Sequence, residues 1–344
     1  MSLILLFLFF LGCQATITNY QPSYSAQSCQ TPTQQPGKCV LINHCPHLFS
    51  VITRNQTDKN AKELIRKSHC GFESMLFPKV CCPAEAIKLF EEGGAISHNQ
   101  HATKCGLHEP DGPSDPWLTL LEYESPIGER AFLCGGVLIN KRYVLTAAHC
   151  VSNLHNFKLV NAHLGKFHGG DSEELVLKTD GTTVHEEYDP NDPNRYHDVA
   201  LVRLKNKVSF KDGFARPICI PTDNKKSFLG KILSVAGYEK HGDGVKKREG
   251  VATVWEKSEC HLVYNSTEVR LKDSQLCAGG KSLSRRQSFR TDLGGVLMHV
   301  DKDNSYSAVG ILALEGPCCG KDHYPKVYTR VGSYMEWIIS NLKP

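Results

Sequence analysis

Fifteen cysteines in 344 residues, six of them between positions 29 and 82, constrain this chain more than any other feature. Cys29, Cys39, Cys45, Cys70, Cys81 and Cys82 follow the spacing C-x9-C-x5-C-x24-C-x10-C-C. A unit this small buries too little apolar surface to hold itself together, so it needs cross-links that restrict its unfolded state. Six cysteines allow fifteen pairings, and spacing alone does not choose among them. Zinc is the other common use of clustered cysteines, but no His stands at finger-like spacing within the group.

Disulfides require an oxidising compartment, and the N-terminus supplies the address. Residues 3–11 form an apolar run, followed by Gly12, Cys13, Gln14 and Ala15. Small residues at 13 and 15 suit signal-peptidase cleavage, so residues 1–15 read as a signal peptide with the mature chain starting near Thr16. That run is far short of the ~20 apolar residues a membrane-spanning helix needs, and no span is expected. Removal of Cys13 leaves an even cysteine count, as paired thiols require. Sequons at Asn55 and Asn265 add a glycoprotein signature. The expected location is extracellular. A net charge of +4, from 40 Lys plus Arg against 36 Asp plus Glu, is too small and too evenly spread to suggest nucleic acid.

Residues 83–104 read as a linker, with a Gly pair at 93 and 94, the polar stretch His98-Asn99-Gln100-His101, and a short helical turn around 87–92. His98, His101, Cys105 and His108 can be drawn as a metal cluster. A structural site needs a closed, oriented shell, so the reading is a solvated linker with Cys105 in a disulfide and no metal or cofactor. From Trp117 onward, short apolar segments alternate with turn signals: 117–123, 136–139, 143–145, 198–204, 232–236, 295–298, 308–314 and 327–330. That rhythm predicts an all-β sandwich or barrel. At the C-terminus, Tyr334, Trp337, Ile338 and Leu342 share one helical face, and Ser333 with Glu336 predicts a capping box at its start.

Three segments carry a family resemblance: Cys134-Gly135-Gly136-Val137-Leu138-Ile139 running to Leu145-Thr146-Ala147-Ala148-His149-Cys150, then His197-Asp198-Val199-Ala200-Leu201, then Thr291-Asp292-Leu293-Gly294-Gly295. In their order they resemble the chymotrypsin-like serine proteases, a match over residues 105–342 that implies a protease-like domain at 105–344. The six-cysteine module at 29–82 resembles the clip domain of arthropod secreted proteases. The resemblance implies two antiparallel β-barrels with a cleft between them and a C-terminal helix, preceded by a small disulfide-rich domain. It also implies six bridges: Cys29–Cys81, Cys39–Cys70, Cys45–Cys82, Cys105–Cys219, Cys134–Cys150 and Cys260–Cys277. Cys318 and Cys319 remain, and read either as bonded to each other or as leaving a free thiol for intermolecular pairing.

The same resemblance puts His149 and Asp198 at the base and orienting positions, and Leu293 where a Gly-Asp-Ser-Gly-Gly motif has its nucleophile. The mechanism needs a hydroxyl or thiol beside the imidazole, and a Leu side chain offers neither lone pair nor acidic proton. Ser288 lies too far upstream and lacks the Gly-Gly that should follow. Thr291 replaces the Gly of the oxyanion hole, Gln287 stands at the base of the specificity pocket, and Ala313-Leu314-Glu315 replaces Ser-Trp-Gly, with the Glu315 carboxylate expected at the pocket mouth. Phe289 replaces the Cys that would pair with Cys319. Residues 106–116 contain no Arg, Lys, Ile or Val, so the activation motif is missing and Asp292 has no liberated ammonium to meet.

The expected protein is therefore a secreted, non-catalytic clip-domain serine protease homologue. By resemblance, it regulates a haemolymph protease cascade such as prophenoloxidase activation and melanisation, with clip-domain proteases or prophenoloxidase-type substrates as partners. Recognition of microbial surfaces through the clip domain or basic loops is the alternative, and a working endopeptidase is the reading Leu293 opposes. Lys246-Lys247-Arg248 and Arg285-Arg286 with Arg290 read as two basic loops, either solvated charge or sites of regulatory cleavage.

Overall fold

The computed structural model describes residues 28–41, 45, 48, 59–74, 77–83, 105–107, 115–152, 154, 156–165, 174–210, 214–221, 226–241, 244–264, 267, 269–280, 293–301, 304–315 and 325–343. The signal segment, the sequon asparagines Asn55 and Asn265, the linker beyond Pro83, Gln287–Phe289, Thr291, Asp292, the 285–290 arginines, Cys318 and Cys319 all lie outside the described residues.

The N-terminal module is a four-stranded antiparallel sheet in the order β1-β2-β4-β3, formed by β1 (Ser28–Gln30), β2 (Pro36–Leu41), β3 (His69–Ser74) and β4 (Phe77–Pro83). Helix α1 (Lys59–Ser68) precedes β3. Strand β4 ends on Pro83, one residue inside the expected linker. Its buried cluster, Cys45, Leu48, Val80 and Cys82, is half cystine sulfur. The bridges Cys29–Cys81, Cys39–Cys70 and Cys45–Cys82 supply what so small an apolar core cannot.

The larger unit consists of two closed six-stranded barrels. The first runs β10-β7-β6-β5-β8-β9, from β5 (Leu118–Glu124), β6 (Arg130–Leu138), β7 (Tyr143–Thr146), β8 (Lys158–Gly165), β9 (Glu174–Val184) and β10 (Ala200–Leu204). The second runs β11-β12-β13-β16-β15-β14, from β11 (Ile232–His241), β12 (Gly244–Val254), β13 (Gln275–Gly279), β14 (Leu293–Val300), β15 (Tyr306–Leu314) and β16 (Lys326–Arg330). Closure gives each strand two partners and removes the exposed edges on which antiparallel sheets aggregate. Every segment expected as a strand from the apolar rhythm lies on or overlaps one of these. Strands β8, β9, β12 and β13 were not anticipated: polar residues dilute the pattern in the first three, and β13 is a short segment of small and mixed residues.

One continuous cluster joins the barrels. It includes Trp117, Tyr123, Leu138 and Leu201 from the first, Tyr238, Val296 and Ile311 from the second, and Trp337 and Ile338 from the C-terminus. Trp117, fully buried, donates its indole N–H to Met298 Sδ at 3.2 Å across the junction. Cys105–Cys219, Cys134–Cys150 and Cys260–Cys277 complete the described bridges, which are the six pairs implied by the resemblance. With Cys105 in a cystine, it is unavailable to the metal cluster drawn with the linker histidines.

The C-terminal helix differs at its start. A 3-10 turn over Val331–Tyr334 runs directly into α3 (Met335–Asn341), after α2 (Lys257–Val263) earlier in the chain. Tyr334 occupies the N-cap position without a side-chain cap, so the Ser333 capping box does not form: Ser333 sits inside the preceding turn. The apolar face nevertheless docks, burying Tyr334, Trp337 and Ile338.

Gly136 marks the tightest approach in the first barrel. A Cβ there would lie 2.6 Å from the Leu145 carbonyl oxygen and 2.8 Å from Val144 Cγ1. Because β6 and β7 are paired at this point, backbone must move to admit a methyl group. Gly136→Ala is expected to lower stability by about 1–3 kcal/mol, measured by urea unfolding with disulfides intact.

Candidate functional site

His149 lies in a 3-10 turn, Ala148–Cys150, immediately after β7. The Cys134–Cys150 bridge ties that turn to β6, and the Tyr123 hydroxyl donates to the Cys150 carbonyl at 2.7 Å. The turn's position is thus fixed by a covalent bond and a buried hydrogen bond. Asp198 lies two residues before β10 and is fully buried. Its Oδ1 accepts the His149 backbone N–H at 2.9 Å, and its Oδ2 is 2.7 Å from His149 Nδ1. With the carboxylate accepting at Nδ1, the neutral ring carries its proton there and leaves Nε2 as the basic nitrogen. The second barrel closes the arrangement, as Thr329 on β16 donates its hydroxyl to the Asp198 carbonyl at 2.8 Å. The pair expected from the resemblance is therefore assembled; Thr329 is a support the sequence reading did not anticipate.

Leu293 opens β14, where it registers against Tyr238 of β11. Glu315 follows β15 and forms an ion pair with Lys326 Nζ at 3.2 Å. The Tyr264 hydroxyl donates to the Pro325 carbonyl at 2.9 Å, and burial, with Glu315 adding to it, pushes the phenol up so that it stays a donor.

One expected feature is corrected. Lys246-Lys247-Arg248 is not a loop: it lies within β12, paired residue for residue with β11. Lys247 Nζ bonds Asp115 at 2.8 Å and Glu249 at 2.5 Å, and Arg248 is paired with Glu239. The charge run looks solvated in sequence because two of its partners, Asp115 and Glu239, lie on other segments. Asp115 and Lys247 are only 7% and 12% exposed, so a buried ammonium–carboxylate pair anchors the chain entering the first barrel to β12 of the second.

Beside Asp198, the chain gathers two further imidazoles. His185 follows β9 and His197 directly precedes Asp198; their rings stack with centroids 4.8 Å apart. Tyr334 meets both rings edge-on and Trp337 lies over His185 at 5.2 Å. Trp337 donates its indole N–H to Glu186 at 2.9 Å, while His197 Nε2 stands 3.3 Å from Glu187. Burial, reinforced by the neighbouring His197, holds the His185 pKa below the ordinary imidazole value. Among the described residues no helix is long and apolar enough to cross a membrane.

Comparison with known proteins accords with this geometry. Residues 105–338 match the trypsin family and residues 29–82 match the regulatory CLIP domain of proteinases. The chain is 33% identical over 343 positions to the CLIP domain-containing serine protease HP8 of Bombyx mori, covering 89% of this chain and 92% of that one. It is 31% identical over 359 positions to Phenoloxidase-activating factor 1 of Holotrichia diomphalia, covering 94% and 95%. The crystal structure of the Drosophila Grass clip serine protease of the Toll pathway superposes with a TM-score of 0.59 at 26% identity, covering 91% of this chain and 96% of that one.

A lowered His185 pKa has a definite sign. The unfolded chain takes up the proton first, so the folded state loses stability as pH falls below about 6.5. His185→Phe keeps the ring packed on Trp337 and removes the titration. Its urea midpoint is expected to fall less than that of the wild type between about pH 7 and pH 5.

Proposed function

The chain belongs to the trypsin family and carries that family's regulatory clip domain, and from this premise we propose that it is a secreted, non-catalytic serine protease homologue that regulates an extracellular immune protease cascade. The observation that carries the reading is Leu293. It stands where the Thr-Asp-Leu-Gly-Gly stretch resembles the nucleophile motif, while His149 and Asp198 are assembled as a base and its orienting acid. An imidazole with no hydroxyl to deprotonate does no acyl-transfer chemistry, and loss of a nucleophile costs on the order of 10⁶ in turnover in a comparable hydrolase. The hydrogen-bonded pair survives because breaking it would strand a buried carboxylate.

A protein with this fold and no turnover acts through its surfaces. The likeness to a phenoloxidase-activating factor points to melanisation as the cascade, with clip-domain proteases or prophenoloxidase-type zymogens as partners. The N-terminal leader pattern and the six cystines fit secretion into haemolymph. An anionic microbial surface is the weaker reading, since Lys247 and Arg248 already have carboxylate partners within the domain. The missing activation motif supports a chain that stays uncut between residues 106 and 116, its Asp115 satisfied by Lys247.

Two measurements check this. A fluorophosphonate probe is expected to leave the purified protein unlabelled; covalent labelling would restore the endopeptidase reading. Depletion from immune-challenged haemolymph of the source animal is expected to change phenoloxidase activity, with purified protein reversing the change. No change on depletion would remove melanisation as the cascade.

A further inference from the structure

We propose that His185, Glu187 and His197 form a binding site for a divalent transition metal, with zinc the cation that best suits the donor set. This inference is independent of the cascade reading. One ring nitrogen from each imidazole and one carboxylate oxygen lie within 4.8 Å of one another. Zinc bonds of about 2.0–2.2 Å place neighbouring tetrahedral donors roughly 3.3–3.5 Å apart. His197 Nε2 and Glu187 Oε2 already stand at 3.3 Å. Closing the remainder asks the His185 ring to move by roughly 1–1.5 Å toward that pair, with the Glu187 side chain, 70% exposed, free to follow.

The donor chemistry selects the ion. Two imidazoles and one carboxylate are borderline donors that favour zinc and its first-row neighbours, whereas calcium and magnesium prefer all-oxygen sets. Three protein ligands leave a coordination position for water. The other metal-like group among the described residues, Cys134, His149 and Cys150, has no thiolate to offer because its cysteines form a disulfide.

The surroundings favour a held site over a chance cluster. His197 has φ 58°, a left-handed conformation in which His is one of the few enriched non-glycine residues. Tyr334 and Trp337 pack against the rings and restrict their rotation. The Glu186 carboxylate, fixed by Trp337, lies 4.0 Å from His185 Nδ1, too far for a hydrogen bond but close enough to add negative charge beside the site. In the metal-free arrangement the Glu187 backbone N–H donates to that Nδ1 at 3.2 Å. Coordination replaces this contact, either by taking Nδ1 itself or by drawing the ring proton from Nε2 to Nδ1.

His185 and His197 bracket the loop bordering Asp198, so the ion would staple both ends of that loop. The loop also reaches the second barrel: Asn194 Oδ1 accepts the Arg270 N–H at 2.6 Å, and the Asn194 carbonyl accepts from Gln275 at 2.7 Å. Metal occupancy would thus rigidify one rim of the cleft beside the His149–Asp198 pair.

The test uses the full secreted chain, stripped with EDTA, dialysed and titrated with ZnCl2. His197→Asn keeps a residue that tolerates the left-handed backbone, His185→Phe keeps the packing on Trp337, and Glu187→Gln touches only an exposed side chain. Wild type is expected to bind one zinc tightly, with a rise in Tm, and each variant to bind at least about tenfold more weakly. CoCl2 should give a visible d–d spectrum that is lost in the variants. Identical zinc titrations for wild type and Glu187→Gln together with either histidine variant would overturn the site, as would no zinc uptake or an equal response to MgCl2.

Discussion

A fully buried carboxylate at the seam of two closed sheets must find its donors inside the protein, and Asp198 imposes that demand on everything around it. Its oxygens take the His149 N–H and ring, and its carbonyl takes the Thr329 hydroxyl from the opposite barrel. Left unsatisfied, such a group costs more than an ordinary hydrogen bond returns, so the first barrel, the turn bearing His149 and β16 are held in mutual register. The Cys134–Cys150 bridge and the Tyr123 hydroxyl then reinforce a geometry the carboxylate already requires.

This explains how the base and its orienting acid persist in a chain that carries Leu at position 293. The residues that close the barrels, such as Gly136, Trp117 and Tyr238, are not those that would form or break bonds in a substrate. Leu293 registers against Tyr238 at the start of β14 and is not among the donors described around Asp198. The His149–Asp198 pair is thereby part of what holds the two barrels together.

Most of the architecture was legible in the sequence, and the failures share a cause. Strands with one consistently apolar face, such as β5 and β15, announce themselves. Strand β9 hides because its exposed face is long and polar, and β12 hides because it carries Lys246, Lys247 and Arg248. A charge run is read as solvated when only the fold reveals its counter-ions: Asp115, far upstream, and Glu239, across the hairpin, meet Lys247 and Arg248 once β12 is in place. Ser333 misled for a local reason: a 3-10 turn feeding straight into α3 moves the cap to Tyr334. The base and its acid were recognisable from their flanking residues, but Thr329 and the His185–His197 stack depend on pairing between distant strands and loops.

The Asp115–Lys247 pair makes a second demand on the junction between the barrels. Burying an ammonium and a carboxylate costs several kcal/mol per ion, recovered only when the two meet in good geometry. Here they meet at 2.8 Å within a single chain, between the segment entering the first barrel and a strand of the second. No new N-terminus is needed to create this cation. Order along the β11–β12 hairpin therefore does not wait on proteolysis, in keeping with a chain that carries no basic cleavage site between residues 106 and 116. The junction between the segment entering the first barrel and the strand of the second is thus held by an ion pair internal to a single chain, with both partners nearly excluded from water.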